Sequence, residues 1–262
     1  MKVVILAGGY GTRISEESVY KPKPMVEIGG KPILWHIMKG YAHYGYTDFI
    51  ICAGYKQAVI KQYFFDYYLH NADVTFDLAA NSMKVLNSSA EPWKVTVVDT
   101  GLDTMTGGRV KRIQPYVGNE PFMLTYGDGV SNIDLRALEQ YHREKGRTVT
   151  LSCYNVGQQF GVLDVGGDGT VTGFREKQDV DGNLINIGFM VCNPGIFDYI
   201  EGDQTVLEKE PMAALARDGQ LQSRHHSGFW KCMDNMRDRR QLEALWNSGQ
   251  APWKVWEEEE KQ

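Results

Sequence analysis

No run in this chain approaches the roughly 18 to 20 consecutive apolar residues that a membrane-spanning helix requires, and the opening MKVVILAGG carries too short an apolar run for a secretion signal. A basic block is missing as well. Lys and Arg number 28 against 33 Asp and Glu, a formal net charge of -5, whereas a nucleic-acid surface needs a concentrated positive patch. Cysteine is sparse. Cys52, Cys153, Cys192 and Cys232 form no CxxC pair and sit mostly in apolar segments such as FIICAG and FMVCNP, which suits reduced core thiols rather than a disulfide or metal framework. The expectation is a cytoplasmic protein with neither nucleic acid nor membrane as partner. The 262 residues are 42% hydrophobic and 11% aromatic, enough to bury a sizeable core.

Hydrophobic periodicity predicts an alternation of strands and helices. Residues 2–6 form a β-branched apolar run ended by glycines, as in a strand covered on both faces. From 32 to 44, Ile33, Leu34, Ile37, Met38 and Tyr41 recur at helical spacing, with Pro32 at the start and Gly45 as a stop. The spacing further predicts strands at 49–54, 95–98 and 122–129, and helices at 57–69 and 135–145. Such alternation implies βαβ crossovers, a mainly parallel sheet, and ligands at the carboxyl ends of its strands. After about residue 150 the runs TLSCYNV, FGVLDVGGDGTVTGFREK and LINIGFMVC alternate in polarity. They predict an antiparallel portion over one side of the pocket, with a hairpin turn at Asp168-Gly169. Helices are expected at 205–218 and 235–248. No internal repeat or long linker is visible, and the terminal EEEEKQ reads as a solvated tail.

Chemistry concentrates first in LAGGYGTR, residues 6–13, directly after the first strand. A dinucleotide fingerprint needs GxGxxG, but with Gly9 and Gly11 aligned on it Ile14 stands where the third glycine belongs. A Walker A loop needs Lys-Ser/Thr after its last glycine, and Thr12-Arg13 follows instead. What remains is a loop whose small residues expose backbone N–H groups to an anion, with Arg13 and, ten residues on, Lys23 as cations for a polyphosphate. GDG at 127–129 follows a hydrophobic strand, so Asp128 projects from a strand end into the same crevice. With Asp234 of GFWKCMDNMRD it suits Mg²⁺, which takes one or two carboxylates and fills its octahedron with phosphate and water.

LAGGYGTR, Lys23 within KPKPMVEIGGKPIL, YGDG and the EK of REKQ resemble the sugar-nucleotide pyrophosphorylases, nucleotidyltransferases that join a sugar 1-phosphate to a nucleoside triphosphate. Within that group KPKPMVEIGGKPILWHIMK, EPWKVTVVDTG, MTGGRVKR, GFWKCMD and APWK are similar to the glucose-1-phosphate cytidylyltransferases, and the likeness runs from end to end. It implies a Rossmann-like α/β fold, with a mixed, mainly parallel sheet flanked by helices and a smaller antiparallel sugar-binding portion. One domain over 1–262 is implied, 1–150 mainly nucleotide-binding and 151–262 mainly sugar-binding and C-terminal. The implied reaction is Mg²⁺-dependent: CTP and α-D-glucose 1-phosphate give CDP-glucose and pyrophosphate, for dideoxy-sugars of surface polysaccharide (O-antigen). Carried across residue by residue, Leu6, Ala7, Gly8, Gly9, Gly11, Thr12, Arg13, Lys23, Thr104, Arg109 and Gly127 would hold the nucleotide. Asp128 and Asp234 would hold the metal, and Gly161, Glu176, Lys177 and Asn186 the sugar phosphate, with Arg13, Lys23 and Asp128 as the catalytic set.

Two departures stand out against that family. Gln178 replaces the proline of EKP and leaves the loop after Lys177 less rigid, because Gln does not fix φ. Ile187 occupies the middle of an Asn-Gly-Gly pattern, where a β-branched residue is expected to strain the backbone and crowd the sugar. The attacking sugar phosphate is largely ionised at neutral pH, its second pKa being about 6, so no general base is needed and His36, His43, His225 and His226 are assigned to packing or surface. A pyrophosphorylase for another base or sugar would share this phosphate machinery. A non-catalytic nucleotide-sugar sensor would often have lost a cation or carboxylate, yet Arg13, Lys23, Asp128, Asp234 and Lys177 are all present. The stretch 91–112 is expected to hold a mobile nucleotide-facing loop hinged at Gly101, Gly107 and Gly108. The aromatic run 62–70 is expected at a subunit contact of a homo-oligomer or in the core.

Overall fold

The computed structural model describes residues 1–156, 162–165, 170–175 and 184–256. The first apolar run forms β1 (Lys2–Ala7). A short helix α1 (Ser15–Ser18) and the ribbon β2 (Glu27–Ile28) with β3 (Lys31–Pro32) lead into α2 (Ile33–His43). Next come β4 (Asp48–Ala53), α3 (Gln57–His70), the hairpin β5 (Ala72–Asp77) with β6 (Ser82–Ser88), and β7 (Lys94–Asp99). Then follow α4 (Thr106–Arg112), α5 (Gln114–Val117), β8 (Phe122–Tyr126), β9 (Gly129–Ser131) and α6 (Leu135–Lys145). Beyond residue 148 lie β10 (Val149–Asn155), β11 (Val162–Val165), β12 (Val171–Arg175), β13 (Leu184–Cys192), α7 (Glu210–Arg217), β14 (Leu221–His226), β15 (Trp230–Cys232) and α8 (Met236–Asn247).

Seven strands make one sheet in the order β14-β10-β13-β8-β1-β4-β7. Strands β8, β1, β4 and β7 run parallel, as do β10 and β14, whereas β13 runs antiparallel to both its neighbours. Side-chain alternation along β1 divides its residues between two cores. Val3, Ile5 and Ala7 pack with Ile33, Leu34, Ile37 and Met38 of α2 on one face. Val4 and Leu6 pack with Val110 of α4, Phe197 and Leu215 of α7 on the other. Helices therefore cover both faces, which is why β1 reads as a continuous apolar run. From β1 the chain proceeds through β4 to β7 on one side, then returns to place β8 on the other. The strand order thus reverses between β1 and β8, and a crevice opens at their carboxyl ends.

The antiparallel strands expected after residue 150 divide. β10 and β13 complete the main sheet, while β11 and β12 form a separate two-stranded ladder; the turn expected at Asp168-Gly169 lies outside the described residues. The helix expected over 205–218 begins only at Glu210. A larger correction concerns Gly107 and Gly108, which are not hinges but part of α4. A Cβ at Gly107 would stand 2.7 Å from the Thr205 carbonyl oxygen, and one at Gly108 would stand 2.5 Å from that of Asp203, so both are small to let the helix seat on backbone. Of the three proposed hinges only Gly101, at φ 87, occupies a conformation that favours glycine. The cysteines are free, with Cys52, Cys153 and Cys192 buried. Among the described residues no helix is long and apolar enough to cross a membrane.

Candidate active site

The crevice is a cleft of about 560 Å³ whose walls include Leu6 to Thr12, Lys23, Leu102 to Thr106, Arg109 and Tyr126 to Asp128. Its glycine loop leaves β1 with the Gly8 carbonyl accepting from Tyr55 N at 3.1 Å, and turns at Gly11, where φ is 66. Gly9 has nothing within 4 Å of a notional Cβ, so its backbone stands open to the cleft. Gly127 continues the β1–β8 pairing, its N–H 2.9 Å from the Leu6 carbonyl, and a side chain there would press on Pro24 at 3.0 Å. The loop backbone around Arg13 forms a helical turn, Thr12–Ile14; the Arg13 side chain lies outside the described residues.

Lys23, Asp128 and Asp234 meet at the floor. The Lys23 ammonium donates to Asp128 Oδ2 at 2.6 Å and to Asp234 Oδ1 at 2.7 Å. Residues 128 and 234 converge because β9 pairs antiparallel with β15, Gly129 against Cys232, and Met233 N donates to the Asp128 carbonyl at 2.8 Å. The two carboxylates thus flank the end of one small ladder. Burial alone would depress the Lys23 ammonium, whose side chain is 12% exposed, but the two carboxylates outweigh it and hold its pKa above the ordinary value. The acids themselves keep 29% and 30% exposure, open to a substrate. Among the described residues no three or more His, Cys, Asp or Glu are grouped to hold a metal. The donor set is two hard carboxylates, the number Mg²⁺ takes when phosphates and water complete its octahedron, so these residues fit Mg²⁺ bound together with a polyphosphate.

Arg109 is placed differently from a simple phosphate ligand. Only 4% exposed, its guanidinium donates to Thr100 Oγ1 at 2.8 Å and to the carbonyls of Gly101 at 2.7 Å and Leu102 at 3.1 Å. Burial pulls its pKa down, yet guanidinium stays charged, and none of these acceptors is a carboxylate. A Cβ at Gly8 would lie 2.1 Å from Arg109 Nη1, and one at Gly54 would lie 2.5 Å from it. The glycines that open the loop also make room for this cation beneath it. Thr104, 8% exposed, lines the same wall.

Of the residues expected at the sugar phosphate, Gly161, Glu176 and Lys177 lie outside the described residues, as does Gln178. Asn186 is exposed on β13 and its Oδ1 accepts from Gly188 N at 2.9 Å. The expected strain at Ile187 is absent. Its backbone is not left-handed, and alternation along β13 turns its side chain into the core at 3% exposure. The left-handed residue is Gly188, at φ 82. The sequence also gives little warning of Tyr126 and Glu208, whose hydroxyl-to-carboxylate bond of 2.6 Å ties the end of β8 to the segment that leads into α7. Tyr126 adjoins GDG, but Glu208 lies in a charged stretch, EKE, indistinguishable from solvated surface.

The chain resembles known proteins along nearly its whole length. Residues 2–231 match the family model described as nucleotidyl transferase. A glucose-1-phosphate cytidylyltransferase of Salmonella typhimurium is 54% identical over 258 residues, covering 98% of this chain and 100% of the relative. A mannose-1-phosphate guanyltransferase of Saccharomyces cerevisiae is 28% identical over 247 residues, covering 91% of this chain and 62% of the relative. Among solved structures, HddC from Yersinia pseudotuberculosis complexed with GMP-PN superimposes with a TM-score of 0.67 at 23% identity, covering 94% of this chain and 99% of that one; that likeness concerns the fold alone. With a glycine loop and a Lys-Asp-Asp cluster at the strand-order reversal, the match over residues 2–231 makes this chain a member of the nucleotidyl transferase family.

Proposed function

We propose that the protein transfers CMP from CTP to α-D-glucose 1-phosphate, releasing pyrophosphate and forming CDP-glucose for dideoxy-sugar and surface-polysaccharide (O-antigen) synthesis in the cytoplasm. The observation that carries nucleotidyl transfer is the Lys23 ammonium lying 2.6 and 2.7 Å from Asp128 and Asp234 under the open glycine loop. The choice of CTP and glucose 1-phosphate is supported by the 54% identical relative's name. The guanyltransferase relative is a reminder that phosphate machinery alone does not select a base.

A phosphate oxygen of the sugar 1-phosphate attacks the α-phosphorus in line and pyrophosphate leaves; the nucleophile is already ionised, so no protein base is required. The glycine loop N–H groups and Lys23 hold the phosphates and offset the repulsion between two anions. Arg13 and Lys177 supply the remaining cations, on the strength of the sequence resemblance. Mg²⁺, held by Asp128 and Asp234, would neutralise charge on the phosphate oxygens when bound. Arg109 orders the loop and the 101–104 wall, and its charge beneath the cleft favours an anion above. The protein acts as a homo-oligomer: on α3 and the β5–β6 hairpin, Phe65 is 78% and Leu78 91% exposed, with Phe76, Met83 and Leu86 exposed nearby, an apolar area that marks an interface.

Pyrophosphate release by the purified protein with Mg²⁺ tests the reading, over CTP, UTP, dTTP, ATP and GTP against glucose 1-phosphate and other sugar 1-phosphates. Release that requires CTP and glucose 1-phosphate together, and that stops on chelation of Mg²⁺, is expected. Activity with a different pair would reassign the substrates, and silence across the grid would favour a sensor.

A further inference from the structure

Lys23 and the metal proposed for Asp128 and Asp234 lay claim to the same two oxygens. The Lys23 ammonium takes Asp128 Oδ2 at 2.6 Å and Asp234 Oδ1 at 2.7 Å, and among the described residues it has no other acceptor. Mg²⁺ binds carboxylate oxygens at about 2.1 Å, so an ion on Asp128 Oδ2 would stand no farther than about 4.7 Å from the nitrogen, the sum of the two bond lengths. Cations that close repel each other, and the two carboxylates set two negative charges against three positive. The ammonium and the metal therefore compete for this pair. The acids are the better anchored partners. The Asp128 carbonyl accepts from Met233 N at 2.8 Å, and Asp234 N donates to Asp238 Oδ2 at 3.1 Å, which seats Asp234 at the start of α8 beside its capping box. Lys23 is held only at its base. Met25 N donates to the Pro22 carbonyl at 2.8 Å and Val26 N to the Lys23 carbonyl at 3.1 Å, while the Lys23 Cβ lies 3.2 Å from a notional Cβ on Gly11. Beyond that point the stem is flexible, so the ammonium can swing from the acids toward the glycine loop without any element moving.

We propose that Lys23 is a placeholder for the metal: its ammonium holds Asp128 and Asp234 until the phosphates of a nucleotide draw it away, and only then do the two carboxylates accept a divalent cation. This rests on the reading of the two acids as the Mg²⁺ carboxylates. A polyphosphate resolves the charge conflict in two ways. It brings the negative charge that the pair of acids lacks, and it offers the ammonium new acceptors beneath the glycine loop. Nucleotide and metal are thereby coupled, each raising the affinity for the other by the same factor. A divalent cation arriving alone meets carboxylates that already have a partner, whereas one arriving with a nucleotide finds them released. Lys23 thus has two positions with two partners, and the choice between them sets the order in which the cleft fills.

The test is Mn²⁺ binding, followed by the electron paramagnetic resonance signal of the free ion, with the wild type, Lys23→Met and the double variant Lys23→Met with Asp128→Asn. Methionine keeps an unbranched stem and removes the charge. Lys23→Met is expected to bind Mn²⁺ alone about tenfold more tightly than the wild type, or better. Mn²⁺ should also raise the melting temperature of Lys23→Met and leave that of the wild type unchanged. The double variant should lose the gain, which assigns the ion to the two acids. A measurement on the wild type alone is independent of how the variants fold: CTP without sugar phosphate should bring Mn²⁺ onto the protein, giving a broadened signal that CTP and Mn²⁺ do not give without it. Equal Mn²⁺ affinity in the wild type and Lys23→Met would overturn the placeholder and leave the metal site standing. So would a wild type that takes up as much Mn²⁺ without CTP as with it. No protein-bound Mn²⁺ in any sample, with or without CTP, would instead overturn the reading of the two acids as metal ligands, and this inference with it.

Discussion

Lys23 illustrates how a single residue acquires a role from its neighbours. An isolated, 12% exposed lysine would tend to lose its proton, yet two carboxylates keep the ammonium charged. Replacing it with Ala removes the donor proposed for the leaving phosphates and leaves two acids facing each other. Lys23→Ala is therefore expected to lower kcat by roughly 10² to 10³, as loss of one transition-state donor does, and to lower the melting temperature as well, because the two acids lose their shared partner; steady-state kinetics decide it, and an unaltered kcat would remove Lys23 from the chemistry. His36 is the opposite case. Its Nε2–H donates to the Ile28 carbonyl at 2.8 Å, its Nδ1 accepts from Trp253 Nε1 at 3.4 Å, and the Trp246 ring centre is 4.6 Å away. Burial lowers its pKa from 6.5 to about 4. Between those two values the unfolded chain holds a proton that the folded chain refuses, so stability is full above about pH 6.5 and declines as pH falls toward 4. The loss is on the order of 3 kcal/mol. Thermal melts over this range should show it, and His36→Phe should flatten that part of the profile.

At the scale of elements, glycine in a helix has two meanings. Gly108 of α4 has the Asp203 carbonyl 2.5 Å from its notional Cβ, whereas Gly40 of α2 has nothing within 4 Å. Gly108→Ala must push α4 off its seat, at a cost of about 1 to 3 kcal/mol, and it displaces Arg109 from beneath the loop. Gly40→Ala should stabilise by about 0.5 to 1 kcal/mol, through helix propensity. Chemical denaturation of the two variants should give opposite signs. Elements were also unequally legible in the sequence. The helix at Leu135–Lys145 matches its predicted span because its apolar stripe is regular and Asp134 caps it. In the sequence the α4 stretch reads as a hinged loop because Gly107-Gly108 is a poor helix signal on its own, and only packing against residues 203–205 explains the pair.

For the whole molecule, the apolar face of α3 and the β5–β6 hairpin bears on assembly. Sedimentation velocity should give a mass that is a multiple of one chain, and Leu78→Asp with Phe65→Asp should reduce it while leaving the fold intact by circular dichroism. A wild-type monomer at micromolar concentration would exclude this surface as a stable interface.

The sequence by itself determined the layered architecture, the glycine loop and the residue types of the proposed phosphate site. These depend on local periodicity, on strands ending in glycine, and on charges adjacent to those ends, all of which are short-range. Only the tertiary structure decided that Asp234 reaches Asp128, since that contact depends on β9 pairing with β15 across about a hundred intervening residues. It also decided that Ile187 faces the core, because strand register, not residue identity, sets which side a side chain takes. The same holds for Arg109, which passes under the loop through the space left by Gly8 and Gly54, and for Glu208, whose partners Tyr126 and Thr106 come from two other elements. In each case the deciding contact joins residues far apart in the chain, and no local pattern records it.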